Sequence, residues 1–357
     1  MFELTNEQRP CFGLVPVDME WERIETKQGP YDQYKTYLYL EGDRVVKCIM
    51  CGENLYSEYE LSEMVSRDRS VLLPKTAKGK PVTLTSAAVA KRKGTGMRLY
   101  YSDRNIHLYN EVTQCTYYMN SYLKDDISDM ADFSRWVEEW CRETTDEDAQ
   151  DILLFSKMDR KRVRYREGDV FRFKIGRREY GYGRILLDYD AMRRKKEPFW
   201  DILMGKPLVC SAYHIITERD DVTVEELKGL RSLPSRIMAD NALFYGEYEI
   251  IGNLPVSDGE DYPVMYGDSI SLGEKAVCYQ RGRVFRKLEG RSAIYASFRN
   301  NGVAFDMNLT RDILLKCIET DSNDPYWDLY YSHWTERDLR NPRYAEKLCK
   351  VRAQLSL

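Results

Sequence analysis

Hydrophobic and polar residues alternate in short runs along most of the chain, and a helical period replaces that alternation in few places. Tyr37-Leu-Tyr-Leu40 and Arg44-Val-Val-Lys-Cys48 flank Glu41-Gly-Asp43, which predicts two strands joined by a tight turn. Strand-like alternation returns over Gly79–Thr85 and Arg98–Tyr109, and the glycines of Lys91-Arg-Lys-Gly-Thr-Gly96 mark a loop. Phe133, Trp136, Val137, Trp140 and Cys141 then recur at helical spacing, with Asp132 as the expected cap. Thr144-Thr-Asp-Glu-Asp148 is a polar break before another helical turn or two near Gln150–Phe155.

Beyond a basic run, Val170-Phe-Arg-Phe-Lys-Ile175 alternates apolar and charged as a half-buried strand does. Arg177-Arg178 reads as the turn, and Tyr180-Gly-Tyr-Gly-Arg-Ile-Leu-Leu187 as the next strand. Glycines at 181 and 183 predict a bulge, a sharp coil or a close backbone approach. Further strands are expected at Val209–Ile216, Tyr245–Gly252 and Tyr262–Gly267, with a capping box at Thr223-x-x-Glu226. A hairpin around Gly290, a helix over Thr310–Ile318, and a last helix from Asn341 and Pro342 to Leu355 complete the pattern. Tyr344, Leu348, Val351 and Leu355 share one face of that last helix.

These periods predict an α+β protein. Its central domain is a small, strongly coiled antiparallel sheet or barrel, flanked by α+β segments. The expected boundaries give an N-terminal α+β domain at 1–156, a β-rich domain at 157–270, and a C-terminal part at 271–357 packed on the central one.

Composition narrows the function classes. The chain has 357 residues, 54 Lys+Arg against 58 Asp+Glu, and a net charge of −4. So mild an acidity does not suit a protein that coats nucleic acid as a whole. The longest apolar stretches are too short to span a membrane, and the start of the chain lacks a basic-then-apolar leader. Nine cysteines, an odd number spread along the chain, suit reduced thiols in a reducing compartment, and a cytoplasmic protein is expected. The 27 tyrosines suit half-buried strands and wet binding surfaces equally.

Catalytic signatures are missing. There is one CxxC, Cys48-Ile-Met-Cys51, without the second pair that zinc requires, and it falls on a strand end rather than a helix start. Neither GxSxG nor HExxH occurs, and of the three histidines, 107, 214 and 333, His214 sits in an apolar strand and His333 among aromatic neighbours. Lys78-Gly-Lys80 and Gly94-Thr-Gly96 do not match a phosphate-binding loop. Asp188, Asp190, Asp201 and Asp240 read as caps and turns. No enzyme, metal or cofactor is expected.

Over residues 165–267 the sequence resembles a known family. Tyr165-Arg-Glu-Gly-Asp-Val-Phe-Arg-Phe-Lys-Ile175 followed by Tyr180-Gly-Tyr-Gly-Arg-Ile-Leu186 is similar to the opening of the immunity protein 26 family of bacterial polymorphic toxin systems. Phe199-Trp-Asp-Ile-Leu-Met204, Met238-Ala-Asp-Asn-Ala-Leu-Phe-Tyr-Gly246 and Pro263-Val-Met-Tyr-Gly267 are similar to the rest. The resemblance implies a cytoplasmic protein that neutralises a cognate toxin domain by stoichiometric binding, without catalysis. It covers about a third of the chain, so the flanks stand as a second such unit or as scaffold. Many toxins of such systems are nucleases with basic clefts. The expected contacts are therefore the acidic loop Asp258, Glu260 and Asp261 and the aromatics Tyr180, Tyr182 and Phe199, with barrel packing as the other reading of the tyrosines. The competing reading is a nucleic-acid-binding or regulatory protein that uses the basic stretch 157–166 through Arg160, Arg162 and Arg164.

Overall fold

The computed structural model describes residues 2–29, 33–120, 127–199, 206–218, 220–257, 259–268, 277–288, 316–319, 324–328 and 338–355. The expected hairpin at Gly290, most of the helix expected over 310–318, His333, and residues 200–204 of one family-like segment lie outside them. The chain divides into two compact units, Met1–Lys161 and Arg162–Leu357. Helices and antiparallel sheets are both present, so the protein is α+β.

The first unit is built on strands β1 (Glu22–Glu25), β2 (Tyr34–Glu41), β3 (Arg44–Gly52), β4 (Leu55–Val65), β5 (Val71–Leu73) and β6 (Val82–Thr83), then the short helix α1 (Ser86–Val89). Strands β7 (Met97–Ser102), β8 (Asn105–Asn110) and β9 (Thr116–Met119) and helices α2 (Met130–Glu143) and α3 (Asp146–Ser156) follow. The sheet runs β1-β2-β3-β4-β7-β8-β9, with β5 and β6 branching from the end of β4. Alternation sends Ile49, Tyr56, Leu99, Tyr101 and Leu108 to one face, where they meet Phe133, Val137 and Trp140 of α2 and Ile152 of α3. Tyr101 stacks on Phe133 at 4.5 Å, and the Trp140 indole donates to Cys11 O at 2.9 Å. The other face packs Leu38, Cys48, Met50 and Tyr59 under Leu72, Leu84 and Val89. The cap of α2 is Asp129, which accepts from the Ala131 and Asp132 N–H groups at 2.9 Å, and not Asp132. Asp132 sits one turn in and accepts from Ser128.

The second unit holds β10 (Asp169–Lys174), β11 (Tyr180–Asp188), α4 (Tyr189–Arg194), β12 (Pro207–Ala212), α5 (Val224–Leu227), β13 (Arg236–Ala239), α6 (Asn241–Phe244) and β14 (Glu249–Asn253). Its sheet runs β13-β12-β11-β10-β14 and is open at β13 and β14, so the barrel alternative does not hold. A second sheet, β15 (Val264–Asp268), β16 (Val277–Arg281) and β17 (Val284–Leu288), precedes α7 (Asp324–Trp327) and α8 (Ala345–Leu355). The capping box at Thr223 and the Asn341 cap with Pro342 form as the sequence predicts.

Both faces of the five-stranded sheet are buried. Phe171, Phe173, Ile185 and Cys210 pack with Leu243, Tyr248, Cys317, Tyr326 and Trp327 on one side. Val170, Tyr182 and Tyr213 pack with Val222 and Leu227 on the other. Cys278 joins Leu187, Tyr189 and Val209, and Val351 with Leu339 covers Val264 and Tyr266.

Candidate protein-binding surface

The described residues hold no group of His, Cys, Asp or Glu that could hold a metal ion. Cys48 and Cys51 show why for the CxxC. Three positions apart on β3, they point to opposite faces of the sheet, and each lies in a different core. Burial pushes both thiols up to about 12, which keeps them protonated. His107 lies on β8, stacks on Tyr109 at 4.3 Å and shares a 3.0 Å hydrogen bond with Thr116 Oγ1. The His214 backbone N–H donates to the Arg231 carbonyl at 2.9 Å.

A buried polar cluster does exist in the first unit. Glu58 Oε1 accepts from Arg9 Nε at 2.7 Å and Lys47 Nζ at 2.6 Å, and Glu58 Oε2 accepts from the Tyr56 hydroxyl at 2.5 Å. Lys47 also donates to Glu60 at 3.0 Å, and burial holds the Glu60 carboxyl above its ordinary range. Lys47 and Glu58 have 0 % side-chain exposure. This paired and largely buried cluster anchors the N-terminal segment on the sheet.

In the second unit the sheet edge is different. Arg172 on β10 reaches Glu249 on the edge strand β14 at 2.5 Å and Asp220 at 3.4 Å, with its guanidinium 5.0 Å over the half-buried Tyr180 ring. Asp220 and Glu249 are exposed, and so are Glu218, Asp221, Glu225 and Glu226, which flank Asp220 in the sequence. Among the described residues β14 pairs only with β10, which leaves its outer edge unpaired within the sheet they form. The result is an acidic strip with an aromatic ring and a strand edge at its centre. The charge run from Glu218 to Glu226 was legible in the sequence; its proximity to β14 was not, because the contact joins Arg172 to a residue 77 positions away.

The other expected contact residues sit in varied surroundings. Tyr182 is 0 % exposed, and its hydroxyl bonds Thr217 Oγ1 at 2.8 Å. Phe199 is half-buried against Tyr189, with Arg193 5.5 Å from its ring centroid. Glu260 pairs with Arg184. Asp261, 54 % exposed, pairs at 2.6 Å with Arg340, which also holds Asp338 at 2.8 Å. Asp258 lies outside the described residues. Arg160, Arg162 and Arg164 are exposed on an irregular segment between α3 and β10.

The residues that carry the family likeness converge on the core. The Tyr165 hydroxyl donates to Asp240 at 2.7 Å, joining the first motif to the Met238–Gly246 motif. Gly168 takes φ +88° to turn the chain into β10, and Asn253 clamps that turn by donating to Asp169 at 2.8 Å. Phe171 and Phe173 lie opposite Gly183 and Gly181 in the β10–β11 register, and both rings pack on Tyr248 with centroids 5.2 and 5.3 Å away. The glycines admit the rings: a Cβ at 183 would come within 2.5 Å of Phe171 Cζ, and one at 181 within 2.6 Å of Phe173 Cζ.

Residues 166–277 match the Immunity protein 26 family. No curated protein and no solved structure matches the chain. The matched segment includes β10 to β15, hence the whole five-stranded sheet and the acidic strip on its β14 edge. Among the described residues, no helix is long and apolar enough to cross a membrane.

Proposed function

We propose that this protein is a cytoplasmic immunity protein that neutralises a cognate toxin domain by one-to-one binding, without catalysis. The observation that carries the reading is the family match over residues 166–277. The toxin-binding surface proposed here is the acidic strip around Asp220 and Glu249, with Tyr180 and the β14 edge at its centre and Phe199, Glu260 and Asp261 as further contacts. Acidic side chains steer a basic partner and fix its orientation, while a ring and a strand edge supply contact area and backbone hydrogen bonds. Tyr182 supports the strip from the core.

The test is a pull-down of the tagged full chain from its native cells, followed by calorimetry with the recovered toxin domain. Stoichiometric binding that survives high salt is expected. Asp220→Lys with Glu249→Lys is expected to weaken it at least tenfold, about 1.4 kcal/mol. Recovery of nucleic acid alone, lost when Arg160, Arg162 and Arg164 become Ala, would instead favour the nucleic-acid reading.

A further inference from the structure

Helix α3 of the first unit buries one face and leaves an unusual pattern on the other. Asp148 and Ile152 are its buried residues. At about 100° per residue, Asp146, Gln150, Leu153 and Lys157 fall within about 60° of one another, on the side away from Ile152. All four are exposed, as are Ala149 and Leu154 beside them. Leu153 is 43 % and Leu154 60 % exposed, which makes a neighbouring leucine pair on a helix whose other exposed residues are mostly acidic or polar.

The order along this stripe is acid, amide, leucine, base, so the acid at one end complements the base at the other. When a second copy of the helix is laid antiparallel across it, Asp146 faces Lys157 and Gln150 faces Leu153. Each contact then occurs twice, which is the condition for a two-fold symmetric interface. The antiparallel arrangement also sets each helix N-terminus beside the other's C-terminus, so the macrodipoles attract.

We propose that two copies of this chain pair through the exposed face of α3 in this antiparallel register. Two short helices bury far less than the roughly 800 Å² per partner of a standard interface, so the pairing is weak and reversible. It does not depend on the immunity reading.

Sedimentation equilibrium of the full chain at low salt tests this. A monomer–dimer equilibrium with a dissociation constant on the order of 100 µM is expected. Leu153→Lys with Leu154→Lys should raise that constant at least tenfold. Asp146→Lys alone or Lys157→Glu alone should weaken pairing, because each places like charges opposite one another. The two together exchange the signs at both ends and should restore it. A chain that stays monomeric at every concentration would overturn the proposal. So would a dimer indifferent to the leucine changes, or a failure of the double charge exchange to recover what each single change loses; those last two outcomes would place any self-association, or any partner, elsewhere.

Discussion

At Gly183 the fold depends on what is missing. A methyl group there would sit 2.5 Å from Phe171 Cζ and 2.9 Å from Ser211 O, and the latter is backbone that cannot swing aside. Gly183→Ala is therefore expected to destabilise the second unit by about 2–3 kcal/mol in chemical denaturation. Gly259→Ala, whose nearest neighbour would be Ser257 Oγ at 3.9 Å, should stay within about 0.5 kcal/mol. The glycines at 181 and 183 announced a close approach, a bulge or a coil. The structure selects close approach and puts the register shift between Ile185 and Leu187 instead. What occupies a glycine's missing side chain is decided across the strand pair, where local sequence carries no record. The same limit applied to the acidic loop. The arginine partners of Glu260 and Asp261 lie 76 and 79 positions away.

Among the elements, β7 and β8 pair on a face that is half-buried and polar. Arg98 pairs with Tyr109 and Tyr100 with His107 across the strands. Burial, with the nearby Arg98 charge adding to it, lowers the His107 imidazole to about 4. Because the folded value lies below the unfolded one, the stabilisation is complete above about pH 6.5 and is lost as pH falls from there towards 4. The expected loss is at most about 3 kcal/mol over that window, read from denaturant midpoints as a function of pH. His107→Gln should flatten that part of the profile; an unchanged slope would remove His107 as its source. Strands and helices with a strong period were legible: the long amphipathic α2, the Thr223 capping box and the last helix all form. Ends were less so, because two acids near the start of α2 could each cap it, and only the extended backbone at Asp129 decides between them.

For the molecule as a whole, the two units are built differently, one on a nine-stranded sheet with the longer helices α2 and α3 against one face and the short α1 on the other, the second on a five-stranded sheet buried on both. In the second unit the family match ends at residue 277, but the packing does not. Tyr326 and Trp327 complete the core under Phe171, and Arg283 in the β16–β17 turn holds Glu167 at 2.6 Å and Glu197 at 2.7 Å. A fragment of residues 162–277 is therefore expected to be unfolded or aggregated by circular dichroism and dispersion of amide resonances, and residues 162–357 to be folded. A well-dispersed spectrum from the shorter fragment would contradict this.

That dependence bears on inheritance as well as on stability. A recombination event that moved only the matched stretch into another gene would transplant a sheet without the lid that keeps it dry. The piece that can be exchanged intact is the longer one, and variation at Arg283, Tyr326, Trp327 and Val351 is held in check by Glu167, Phe171 and Val264, which they must still fit.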